Sequence, residues 1–154
     1  MGQVEKIFIA LESRGAVLEI ENAELEAGKG ILGDRYHSRA EQLIAEGKKV
    51  PDNHISFIAK EELDAFLKTN NSDLNLSDFR RSVITTGVDL NSLVGKEFTV
   101  GDALCYGAEL CEPCAFLAAT VHRKVLPELV EKGGLRATVI RDGSITAGSK
   151  IEEA

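Results

Sequence analysis

The sequence predicts a mainly β, α+β fold, a small barrel with peripheral helices. Short apolar or alternating runs recur at close spacing along the chain, separated by Gly, Asn and Asp turn signals. Two or three helical patterns lie between them, without the regular strand–helix alternation of an open parallel sheet. The 154 residues, 44% of them hydrophobic, suffice for one core without disulfides, so a single domain over 1–154 is expected. With no Trp and 5% aromatic residues, that core must be mainly Leu, Ile, Val and Ala.

Val4–Leu11 reads as a first strand and Ala16–Ile20 as a second, with the polar break Glu12–Gly15 between them, so the two form a candidate hairpin. Glu21–Ala27 is acidic, and its periodicity fits a short helix or a polar strand equally. Gly28–His37 packs three glycines into six residues before Asp34-Arg35. This is either a structural turn closed by a surface ion pair or a pocket for an anion. Ser38–Lys49 has a Ser N-cap, Glu41 three residues on and a cationic end, which predicts a short helix stopped by Pro51. His54–Ala59 is a strand and Lys60–Lys68 an amphipathic helix with Leu63, Phe66 and Leu67 on one face. Asn70–Ser77 is a polar loop, and Asp78–Thr86 leads from it into another strand. Gly87–Gly95 is a loop with an apolar contact at Leu90 or Leu93. Glu97–Val100 and Ala103–Ala108 form a hairpin about Gly101-Asp102. Ala115–Val130 is an amphipathic helix, with a break expected at Pro127 and an end at Gly133-Gly134. Leu135–Ile140 is a strand, and Asp142-Gly143 turns the chain into a return strand from Ser144.

A net charge of −7 argues against bulk nucleic-acid binding, though a local basic pocket for a small anion remains compatible with it. The longest apolar runs are too short to cross a bilayer, so no membrane association is expected. Three cysteines, an odd number, in a chain without a recognisable signal suggest reduced thiols and a cytoplasmic location.

The most reactive-looking stretch is Leu110-Cys111-Glu112-Pro113-Cys114-Ala115-Phe116-Leu117. A thiol at a helix start is stabilised as thiolate by free N–H groups and the helix dipole. Disulfide exchange, sulfur transfer through a persulfide and ligation of a soft metal all use such a thiolate. Two buried small hydrophobes are the plain alternative. A zinc site is poorly supported, since only Cys105 and His122 lie nearby and at irregular spacing. His37, His54 and His122 form no triad by spacing and read as single hydrogen-bonded or solvated side chains. Arg80-Arg81-Ser82 at a strand head, and Arg136 after Gly133-Gly134, are candidate oxyanion grips or solvated cations.

Taken in order, these pieces resemble a known family. Gly33-Asp34-Arg35, Phe79 to Leu90 (FRRSVITTGVDL), Leu93 to Phe98 (LVGKEF), Leu110–Cys114 and Gly133 to Ala137 (GGLRA) follow the pattern of stand-alone MOSC (molybdenum-cofactor sulfurase C-terminal) domains. The likeness runs from about Val4 to Ile151. It implies a MOSC-type β-barrel and a role with the molybdenum cofactor, molybdopterin, or with sulfur destined for it. The resemblance makes Cys114 the functional thiol, as sulfur carrier or molybdenum ligand. It places Arg80 against the cofactor's pterin side or phosphate, with Arg35 and Arg136 as further cations.

Ser82 stands where the family commonly has asparagine, and so lacks one amide donor. Cys111 is not a general family feature. No lysine motif for pyridoxal phosphate is present, so sulfur would come from a separately encoded donor protein. An oxidoreductase would also need a redox partner. Alternatives are a dithiol oxidoreductase using Cys111 and Cys114, or a non-catalytic cofactor-delivery module.

Overall fold

The computed structural model describes residues 2–11, 17–51, 54–69, 82–110 and 134–154. Cys111, Cys114, Arg80, Arg81 and His122 lie outside them. So do the Asn70–Ser77 loop and the Ala115–Val130 helix.

Eleven strands and two α-helices appear among the described residues. The strands are β1 (Gly2–Ala10), β2 (Val17–Ile20), β3 (Asn22–Glu26), β4 (Gly30–Ile31), β5 (Ile55–Ala59) and β6 (Val83–Thr86). They continue with β7 (Glu97–Val100), β8 (Ala103–Leu110), β9 (Leu135–Arg141), β10 (Gly143–Thr146) and β11 (Lys150–Glu153). The helices are α1 (Arg35–Ala45) and α2 (Lys60–Thr69).

Seven of the described strands close into a barrel, in the order β11-β7-β8-β9-β5-β6-β1, with β1 pairing back to β11. Closure leaves the ring without a free edge. Side chains alternate as a pleated wall requires: Leu135, Ala137 and Val139 of β9 are buried, while Arg136 and Ile140 are exposed. The interior is mainly aliphatic, with Phe57 and Phe98 meeting edge to face at 5.5 Å. β5 and β6 are parallel, so the chain between them must cross over, and α2 begins that crossover with Leu63 fully buried.

β2 pairs with β1 as the expected hairpin, and Glu21–Ala27 resolves as the strand β3. β3, β4 and β10 form a second small sheet, whose Ala23, Leu25, Ile31 and Ile145 join the barrel's apolar cluster. The β7–β8 hairpin turns at Gly101-Asp102 as read, with Val100 opposite Ala103. Leu90 and Leu93 are both buried, because a 3-10 turn over Leu90–Leu93 puts them on one side.

Two expectations are corrected. The helix starts at Arg35, with Asp34 rather than Ser38 as its cap. It ends well before Pro51: Lys48 N–H donates to Leu43 O at 2.8 Å and Gly47 N–H to Ile44 O at 3.0 Å, with Gly47 at φ 71°. This is a Schellman closure, which satisfies the helix's last carbonyls. The second correction concerns the strand after Asp142-Gly143, which pairs with β3 instead of returning along β9. Both edges of β9 are already taken, by β8 and β5.

Candidate functional site

The Gly33-Asp34-Arg35 turn joins the small sheet to α1, and its two charged residues have different tasks. Asp34 is 1% exposed. Its Oδ1 accepts from Ala10 N–H at 2.9 Å and its Oδ2 from Tyr36 N–H at 3.3 Å, so one carboxylate caps α1 and ties it to the end of β1. The ion pair expected at the surface is therefore largely internal. Arg35 Nη1 lies 3.6 Å from Asp34 Oδ1, its guanidinium stacks 4.4 Å from the Tyr36 ring centroid, and its side chain is 16% exposed. Packing of this kind holds the guanidinium in one orientation.

Arg35 borders a cavity of about 480 Å³ between α1, Leu11 and the segment leading into β5. Its polar lining comes from Arg35, Tyr36, Ser38, Arg39, Gln42 and His54, and its apolar lining from Leu11, Ala40, Leu43, Val50 and Pro51. No carboxylate is among the described lining residues. His54 is buried, and its Nδ1 accepts from Val139 N–H at 3.0 Å, where the β5–β9 ladder ends.

Ser82 and Arg136 are brought together in the barrel wall. Arg136 is the cross-strand partner of both Ser56 and Glu109, and it pairs with Glu109 Oε1 at 3.3 Å. Ser56 and Ser82 bind each other: Ser82 N–H donates to Ser56 Oγ at 3.0 Å, and the two hydroxyl oxygens are 3.2 Å apart. One hydroxyl proton serves that mutual bond, which leaves the other available to a ligand. Opposed residues point to the same side of a sheet, so Arg136, Ser56 and Ser82 form a row on the outer face. Ser56 is two residues along the chain from His54, which lines the Arg35 cavity, while Ser56, Ser82 and Arg136 are not themselves among its described lining residues.

The remaining candidates sort plainly. Cys105 is fully buried in the core, and desolvation pushes its thiol up to about 12, so it is unreactive near neutrality. His37 is buried between Glu26 Oε1, at 2.5 Å, and Glu41 Oε1, at 3.4 Å. Among the described residues no group of three His, Cys, Asp or Glu side chains could hold a metal. Sequence reasoning missed Arg39, Tyr36 and Gln42. A helix begun at Asp34 would have placed Arg35, Arg39 and Gln42 on one face, at i, i+4 and i+7.

The fold and site define a small closed β-barrel domain with a capped Asp-Arg turn beside a cationic cavity and a polar row on its outer wall. The chain belongs to the MOSC family: the MOSC domain model matches residues 20–152. The family is associated with molybdenum-cofactor binding and sulfur transfer. Similar solved structures include the YuaD protein of Bacillus subtilis, with TM-score 0.80, 18% identity and coverage of 99% of this chain and 96% of that one. YiiM of Geobacillus stearothermophilus is similar at TM-score 0.73 and 13% identity, over 100% of this chain and 75% of that one. YiiM of Escherichia coli follows at TM-score 0.66 and 16% identity, over 97% and 69%. No match was found among curated protein sequences. No helix among the described residues is long and apolar enough to cross a membrane.

Proposed function

We propose that this chain binds the molybdenum cofactor, or carries sulfur destined for it, with Cys114 as metal ligand or persulfide carrier. The family match carries the reading, and the arrangement of the wall supports it. Leu110, Leu135, Phe57 and Val83 stand in one row across β8, β9, β5 and β6. At about 4.8 Å per strand, Leu110 and Val83 are about 14 Å apart. Cys114 follows Leu110 by four residues and Arg80 precedes Val83 by three, so chain reaches of about 13 Å and about 10 Å allow the two to meet.

The described residues fit an anionic ligand. A cavity with no carboxylate among its described lining residues would receive it beside Arg35, and Ser82 and Arg136 would contribute a hydroxyl and a second cation from the barrel wall. Arg80 would add a third cation. The bound cofactor would supply molybdenum redox chemistry; this chain's part is to hold its phosphate and to present a thiolate. As a carrier, the Cys114 thiolate attacks the outer sulfur of a donor persulfide. A new S–S bond forms, the donor's S–S bond breaks, and the donor leaves as thiolate. The donor protein and any redox partner are separate chains, and a cytoplasmic setting would keep the thiol reduced.

Incubation with molybdopterin and, separately, with a labelled persulfide donor tests the reading. Wild type and Cys111→Ser should load, and Cys114→Ser should not. Failure of wild type to take up either, with Cys114 fully open to alkylation in both trials, would overturn it. The C-x-x-C spacing favours a second reading, a dithiol oxidoreductase using Cys111 and Cys114. It requires a reversible intramolecular disulfide, and activity unchanged in Cys111→Ser would exclude it.

A further inference from the structure

The cavity beside α1 has more recognition chemistry than one arginine. Arg35 and Arg39 are one helical turn apart on the same face, and Gln42 follows on that face. Arg35 is fixed by Asp34 and Tyr36, whereas Arg39 makes no ion pair or hydrogen bond among the described residues. In a protein of net charge −7, a recess with two guanidinium groups and no carboxylate among its described lining residues is a local reversal of sign. The rest of the lining is largely apolar, with Leu43 on α1 beside Arg39 and Leu11, Val50 and Pro51 from outside the helix, and Leu11 is largely exposed. At about 480 Å³ the cavity falls within the size range of small-molecule sites.

We infer that this cavity binds an organic oxyanion with an apolar body, its charged head held by Arg35 and Arg39 and its body laid along Leu11, Leu43 and Pro51. Paired guanidinium groups suit phosphate or carboxylate, because each presents parallel N–H donors. A bare inorganic ion would satisfy the arginines but leave the apolar wall wet, so the wall selects a ligand with carbon surface. A neutral aromatic would cover the apolar lining but leave Arg39 without a counter-charge, since among the described residues Asp34 pairs only with Arg35. The inference rests on the proposed function only through Arg35; its distinguishing residue, Arg39, takes no part in the thiol chemistry.

Calorimetric titration of the full chain with naphthyl phosphate, inorganic phosphate and naphthol tests it. Naphthyl phosphate should bind at least about tenfold more tightly than either control, the factor expected for one charge-assisted contact added to apolar burial. The exposed Arg39→Gln should fold normally and lose about tenfold in that affinity. Cys114→Ser should bind naphthyl phosphate as wild type does, whatever the outcome of its sulfur loading. Equal affinity for the controls, unchanged binding by Arg39→Gln, or loss of binding in Cys114→Ser would each overturn the inference.

Discussion

Removing the Asp34 carboxylate would leave the buried Ala10 N–H and the first turn of α1 without an acceptor together. A lost cap costs about 1 kcal/mol and an orphaned buried donor about 1–3 kcal/mol, so Asp34→Ala should destabilise by about 2–4 kcal/mol in urea unfolding. Asp34→Asn, which can still cap, should lose less. The Ser-x-x-Glu pattern at Ser38 misled the reading of this helix because capping boxes are local signals. The bond that selects Asp34 comes from Ala10, 24 residues away, and no local pattern reports it. The same register error hid Arg39, since its partnership with Arg35 exists only if the helix starts before Ser38. Cys105 gives the pH prediction at this scale. Burial raises its thiol from an ordinary 9.0 to about 12, so the unfolded chain releases this proton first as pH rises. Its stabilising effect is therefore complete below about pH 9 and is lost progressively towards pH 12. At pH 10 the loss from this group is on the order of 1 kcal/mol. Cys105→Ala should lack that increment, which urea titrations of both proteins at about pH 8 and about pH 10 would measure.

Elements were legible where a turn and its strands lie next to each other in sequence. The β1–β2 and β7–β8 hairpins came through because register follows from neighbouring residues. β10 did not, because its partner β3 lies far back in the chain, and occupied edges rather than turn chemistry decide the pairing. Asp142 Oδ1 accepts from Ala27 N–H at 2.6 Å, which fastens the turn to the end of β3. Gly134 shows how closely the elements approach at the start of β9. Its φ is 107°, and a Cβ there would overlap the Phe57 carbonyl of the adjoining strand. Backbone cannot yield as a flexible side chain does, so Gly134→Ala should cost about 3 kcal/mol or more. Gly47, at the end of α1, has open space around it and φ 71°, so Gly47→Ala should cost only about 1 kcal/mol. Thermal melts should rank Gly134→Ala well below Gly47→Ala. The reverse order would mean that the Gly134–Phe57 approach is looser than this geometry implies.

The whole barrel depends on its last strand. β11 lies between β7 and β1, pairing Ile151 with both Val100 and Gly2, and Ile151 is buried in the shared core. Without it β7 and β1 would present unpaired backbone to solvent, and the ring would become an open sheet with two adhesive edges. Ile151→Ala keeps the backbone pairing and removes core packing, so it should cost about 2–4 kcal/mol and leave a cooperative, monodisperse protein. Deleting residues 150–154 removes packing and closure together. The shortened chain should lose the sharp melting transition and elute from size exclusion as larger, heterogeneous species. Closure also bears on the candidate site, because the Arg136–Ser56–Ser82 row spans three strands whose relative positions the ring maintains. A truncated chain that melted cooperatively and still bound naphthyl phosphate would show that the cavity beside α1 keeps its form without the closed ring. Loss of both properties together, with Ile151→Ala retaining both, would identify closure itself as the condition for the site.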